Sequence, residues 1–185
     1  MLKGKLFYII GASGVGKDSV MNELKNKLTY KEGFIFTKRF ITRPNSDSAE
    51  KHIPISKSDF DYRLSNQLFA LNWEANGNAY GIGIEIEYWL SKGFHVIVNG
   101  SRGYLDVAKT KYPELQSILI EVDKSILYNR LIGRNRESKE QIEQRLKRNE
   151  LFETLDYDMI INNESHLEIA VDALYQFIRS KTINI

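Results

Sequence analysis

The sequence predicts an α/β fold, a mainly parallel sheet with helices on both faces, on three observations. Short apolar runs of strand length recur along the chain, polar and amphipathic segments of helical period separate them, and the first run opens directly into a glycine loop. The 185 residues, 42% of them hydrophobic, suit one compact domain with an ordinary core.

The first run, Leu6–Ile10, is strand-sized and rich in aromatic and β-branched residues. After the glycine loop, Asp18–Leu28 places Val20, Met21, Leu24 and Leu28 close to the spacing of one helical face. A second run, Phe34–Ile41, is interrupted by charge. Pro44–Gly83 departs from the alternation: it holds a turn cluster (PNSDS), a helix start of the form Ser-x-x-Asp-Phe at Ser56–Phe60, and the glycine-rich NGNAYGIG. This stretch is expected to form a small subdomain inserted into the α/β core. Phe94–Val98, Ile118–Val122 and Met159–Ile161 read as further strands, and Ser125–Leu131 and Ser138–Leu151 as polar, amphipathic helices.

Composition excludes several function classes. Lys and Arg total 26 against 24 for Asp and Glu, so the formal charge of +2 sets up no field that would make nucleic acid the main partner. The chain has no cysteine, which removes disulfides and thiolate metal sites and fits a reducing compartment. The apolar run near the N-terminus is too short for a signal peptide or a membrane span, so the expectation is a soluble, cytoplasmic protein with no membrane partner.

Three clusters of residues carry chemistry. Gly11, Ala12, Ser13, Gly14, Val15, Gly16 and Lys17 spell G-x-x-x-x-G-K between a strand and a helix, the context in which backbone N–H groups and a helix N-terminus bind phosphate and the lysine reaches its outer oxygens. A serine or threonine that binds magnesium usually follows that lysine; here the position holds Asp18, with Ser19 the nearest hydroxyl. Asp18 either faces a metal ion, together with Ser19, or simply occupies the first helical turn, where negative charge is favourable. In the second cluster, Arg134 and Arg136 lie on a short connection, and Arg145 and Arg148, three apart, share a helix face. They suit neutralisation of a transferring phosphoryl group by a mobile segment, or a solvated face salt-bridged to Glu137, Glu140 and Glu143. In the third, Arg39 and Arg43 flank an extended stretch closed by Pro44, and Tyr80 sits near glycines; two guanidiniums and a phenol can hold a second phosphate.

Together the segments GASGVGK, ITRP, LNWEANGNAYG, SILYNRLIGRNRESKEQIEQRL and YDMIINN resemble the guanylate kinase family over nearly the whole chain. The resemblance implies a P-loop NTPase fold, with a five-stranded sheet, an acceptor-binding insertion at about residues 39–84 and a lid at about 133–150, the rest being core. It implies that Arg43 and Tyr80 hold the acceptor's phosphate and that Arg134 and Arg145 act from the lid with Lys17. The departures concern the acceptor. Asn72 stands where those kinases place a guanine-reading glutamate, Arg39 where they have a base-reading serine, His52 where they have a phosphate-binding tyrosine, and Asn99, Gly100, Ser101, Arg102 and Gly103 where they have Asp-x-Asp. Losing a buried hydrogen-bonding reader can cost several powers of ten in discrimination. Added Arg39 and Arg102 favour an acceptor with more phosphate and no base. GKDS, RFITRP, LNWEANGNAYG and VNGSRG are similar to the ribose 1,5-bisphosphate phosphokinases, a guanylate-kinase-like family of bacterial phosphonate breakdown in which Asp follows the loop lysine. That resemblance implies a kinase using ATP and magnesium on a sugar bisphosphate, with Arg39, Arg43, His52, Asn72, Tyr80, Asn99, Ser101 and Arg102 at the acceptor. A nucleoside monophosphate kinase with an altered base pocket, and a catalytically silent module that binds phosphopeptides, are the alternatives.

Overall fold

A computed structural model of the chain describes residues 3–28, 32–44, 52–133, 138–150, 152 and 156–182, without the side chains of 145 and 148–150. In chain order its elements begin β1 (Leu6–Ile10), α1 (Lys17–Lys27), β2 (Phe34–Phe36), β3 (Phe40–Ile41), β4 (Ile53–Pro54) and α2 (Lys57–Ser65). A hairpin of β5 (Phe69–Ala75) and β6 (Asn78–Gly83) follows, then α3 (Glu85–Ser91), β7 (His95–Asn99) and α4 (Leu105–Lys111). The chain continues through β8 (Gln116–Glu121), α5 (Lys124–Gly133), α6 (Lys139–Glu150), β9 (Met159–Asn162) and α7 (Leu167–Thr182). A five-stranded sheet has the order β2-β7-β1-β8-β9, and a four-stranded sheet the order β4-β3-β6-β5. Strand pairs β2–β7 and β8–β9 are parallel, as the strand–helix alternation of the sequence predicts. Among the described residues no helix is long and apolar enough to cross a membrane.

The chain forms two compact units. One joins Ile9–Lys27 to Ser117–Ile185 and holds the glycine loop. In it, α1 turns Val20, Met21 and Leu24 inward and packs against α7, whose Ala170, Val171, Leu174 and Ile178 are buried at helical spacing. Entry into β9 is fixed by Asp158: its carboxylate accepts from both the N–H and the hydroxyl of Ser117, each at 2.7 Å.

The other unit comprises Met1–Tyr8 and Leu28–Gln116. Here the run Phe34–Ile41 divides. β2 pairs with β7 in the larger sheet, the Thr37 N–H and hydroxyl both donate to the Ile97 carbonyl at 3.0 and 3.2 Å, and beyond the charged Lys38 and Arg39 the chain enters β3 in the smaller sheet. β5 and β6 are joined by a two-residue turn at Asn76 and Gly77 with φ of +50° and +72°, the twist-compatible geometry of an Asn-Gly hairpin. Phe40, Phe60, Phe69, Ala79 and Ile55 pack together as a small hydrophobic cluster in this unit. α2 begins where the sequence indicates, with Ser56 Oγ accepting from the Asp59 N–H at 3.0 Å.

Phe60 is 3% exposed, whereas Tyr62 on the same helix is 68% exposed. Phe60→Ala should therefore cost about 3–5 kcal/mol by the cavity it leaves, and Tyr62→Ala should stay within about 0.5 kcal/mol, as read by urea denaturation.

Candidate functional site

The glycine loop links β1 to α1. Gly14 and Gly16 have φ of +106° and +88°, a region that side chains rarely adopt. Space is equally restrictive: a Cβ on Gly14 would meet Leu127 Cδ1 and Leu131 Cδ2 at 2.9 Å, and one on Gly16 would meet Asn163 Nδ2 at 2.5 Å. Two donors hold the loop's Val15 carbonyl. Asn163 Nδ2 donates to it at 2.7 Å and Arg130 Nη1 at 3.2 Å, while Arg130 Nη2 donates to the Asn163 carbonyl at 2.9 Å. In a planar trans peptide the Gly16 N–H points away from the oxygen thus tied back. Ala12 and Val15 are buried, so they serve the loop through packing and main chain, and Ser13 and Ser19 are exposed.

Lys17 is the first residue of α1, and its Nζ lies 3.7 Å from Asp18 Oδ1. Its side chain is only 12% exposed, against 40% for Asp18. Asp18 thus stands in the first helical turn, at the positive end of the helix dipole, and within ion-pair range of the loop lysine.

The residues nominated for an acceptor lie in the other unit. Trp73 and Tyr80 are directly opposite in the β5–β6 ladder, with rings stacked at 5.5 Å and 2° from parallel. The Arg39 guanidinium sits over the Tyr80 ring at 5.2 Å, and Tyr104 packs against Trp73 at 5.8 Å. Arg39 and Tyr80 are therefore brought together, and they are supported by Trp73, within the LNWEANGNAYG segment, and by Tyr104, which no sequence motif marks. Asn72 pairs with Gly81, one step along the ladder, so alternation sends it to the face opposite Trp73 and Tyr80.

The Arg43 carbonyl accepts from His52 Nε2 at 3.0 Å, and His52 is 5% exposed. A carbonyl can only accept, so Nε2 carries the proton in this contact. Among the described residues, Arg43 Nε and His52 Nδ1 are buried without a hydrogen-bond partner, so a guanidinium donor and a ring nitrogen are both unused. Asn99 ends β7 and is buried, and Arg102 opens a single turn, Arg102–Tyr104. Between them, the Ser101 N–H donates to Tyr8 Oη at 2.9 Å, and Tyr8 Oη donates to the Ser101 carbonyl at 3.2 Å. Burial raises the Tyr8 phenol far above its ordinary range, against the opposing pull of the Ser101 bond, which keeps it a neutral donor. Arg134 and Arg136 lie outside the described residues, as do the side chains of Arg145 and Arg148.

A model of the guanylate kinase family matches residues 3–181. Among curated proteins, "Ribose 1,5-bisphosphate phosphokinase PhnN" of Psychromonas ingrahamii is 44% identical, covering 99% of this chain and 94% of its own. The protein of the same name from Thiobacillus denitrificans is 42% identical over 96% of this chain and 94% of its own. Among solved structures, the guanylate kinase of Anaplasma phagocytophilum superposes with a TM-score of 0.74 at 18% identity, covering 98% of this chain and 88% of that one, a likeness of fold.

Gly16→Ala should abolish binding of a nucleoside triphosphate, followed by titration with a fluorescent analogue. Asn163→Ala, which removes one of the Val15 donors, should weaken it about tenfold, in line with about 1–3 kcal/mol for a buried hydrogen bond lost.

Proposed function

The chain belongs to the guanylate kinase family, and we propose that within it the chain transfers the γ-phosphoryl group of ATP to the 1-phosphate of ribose 1,5-bisphosphate. The products are 5-phosphoribosyl 1-diphosphate and ADP. The observation that carries this reading is the likeness, at 44% and 42% identity over nearly the full length, to proteins named for that reaction. Arg39 over Tyr80 and the buried Arg43 Nε, which has no partner among the described residues, support it, since both suit an acceptor recognised by its phosphates. Position 72, where guanylate kinases carry a guanine-reading glutamate, holds asparagine, which lacks that carboxylate.

Gly11 to Ser19 would hold the triphosphate, and the fit rests on the loop itself: two glycines where a Cβ would collide, a carbonyl tied back, and a lysine nearly withdrawn from water. Asp18 and Ser19 would hold magnesium. Among the described residues no three His, Cys, Asp or Glu side chains converge as a metal cage, and magnesium typically takes one or two carboxylates with substrate phosphates and water. When bound, that ion neutralises charge on the phosphates. Arg39, Arg43, His52, Tyr80, Asn99, Ser101 and Arg102 form the proposed acceptor set, within an insertion at about 39–84 and the loop after β7, and Asn72, on the opposite face of the hairpin from Tyr80, is left out of it. Arg134 and Arg145 belong to a proposed lid at about 133–150, with the remaining chain as core.

The chemistry asks little of acid–base groups. A 1-phosphate oxygen, anionic near neutral pH, attacks the γ-phosphorus as the bond to the β–γ bridging oxygen breaks, and its electron pair leaves with ADP. Lys17 stabilises the charge that develops there, and the acceptor arginines offset repulsion between two anions. The cytoplasm, where ATP is held, is the proposed compartment.

The test is ³¹P NMR of the protein with ATP, magnesium and ribose 1,5-bisphosphate: a new diphosphate pair should appear with ADP, and none would overturn the reading. Lys17→Ala should lower kcat about 10²–10³-fold, the range for removing a charge-stabilising donor. Arg43→Ala should raise the acceptor KM about tenfold to a hundredfold, as for a lost hydrogen bond to a charged group, in a coupled ADP assay.

A further inference from the structure

Tyr8 lies within β1 at 0% exposure, in a strand whose other residues are Leu6, Phe7, Ile9 and Ile10. Phenylalanine would fill the same volume without a hydroxyl that burial obliges the fold to satisfy. Here the hydroxyl engages both main-chain groups of a single residue: it accepts from the Ser101 N–H and donates to the Ser101 carbonyl. The ring has a role as well. A Cβ on Gly100 would fall within the Tyr8 ring, against Cζ, Cε1 and Cε2. The Gly100 backbone is not in the left-handed region, so it is this ring, and not its φ, that requires glycine.

Ser101 and Arg102 are the proposed acceptor residues that this contact reaches. The Ser101 carbonyl also accepts the Tyr104 N–H at 3.2 Å, closing the turn that Arg102 opens, and Tyr104 packs on Trp73, which stacks on Tyr80 beneath Arg39. Each of these contacts lies within one unit of the protein. We propose that Tyr8 is a positioning residue for the acceptor site: by clamping the Ser101 main chain it sets how Ser101 and Arg102 are presented to an acceptor phosphate. This inference rests on the acceptor-site reading above.

Tyr8→Phe keeps the ring and removes only the clamp. Amide hydrogen exchange over residues 100–104 should quicken about tenfold or more, as expected when a buried N–H loses its partner. The acceptor KM should rise about tenfold with kcat within about threefold, and affinity for a fluorescent ATP analogue should stay within about twofold. Unchanged exchange would overturn the proposal, because no clamp would then exist. Faster exchange with an unchanged acceptor KM would overturn it too, leaving Tyr8 a packing residue. The substrate reading is judged separately, by whether the wild-type protein phosphorylates ribose 1,5-bisphosphate or only GMP; in the second case the KM for GMP decides the role of Tyr8.

Discussion

A phosphate can be gripped by main chain only where side chains are missing and the peptides are already oriented. In this protein that constraint is met by distant supports. The Val15 carbonyl is held by Asn163 and Arg130, which follow β9 and lie on α5, and the space a side chain would need at Gly14 is filled by Leu127 and Leu131 of α5. The loop's conformation is thus held by contacts within the protein, the kind of preorganisation that lowers the ordering entropy of binding. The pairing of α1 with α7 serves the same end, since it fixes the helix whose first turn presents Lys17 and Asp18.

The residues proposed for the acceptor obey a different rule. Guanidinium groups are permanently charged, so a site that collects them must hold each one in place without neutralising it. An aromatic face does this, because its negative quadrupole attracts a cation without carrying a formal charge of its own. The column of Tyr104, Trp73 and Tyr80 provides such a face for Arg39, and the hairpin register creates it by setting Trp73 against Tyr80. The same register turns Asn72 the other way. Fold likeness at 18% identity says nothing of the substrate.

Local features were legible in the sequence, and distant ones were not. The loop between β1 and α1 could be read because strand, glycines, lysine and helix are contiguous, and the Ser56 cap could be read for the same reason. The split of Phe34–Ile41 between two sheets was marked only by its charged interruption. The β5–β6 hairpin carried a usable Asn-Gly signature inside NGNAYGIG, but the stretch read first as glycine-rich backbone. The supporting residues had no such mark. Asn163 meets Val15 across 148 positions, Arg130 across 115, and Tyr8 meets Ser101 across 93. A tyrosine inside an apolar strand or an asparagine after one looks ordinary until folding supplies its partner.

The central claim concerns the acceptor, and competition measures it most directly. Ribose 1,5-bisphosphate and GMP would be offered together at equal concentration with ATP and magnesium, and the two products counted by mass spectrometry from one reaction. The product ratio equals the ratio of kcat/KM values and does not depend on enzyme concentration. Phosphate-based recognition with the guanine reader lost should favour the sugar bisphosphate by about 10³-fold or more. A ratio near one, or in favour of GMP, would contradict the account.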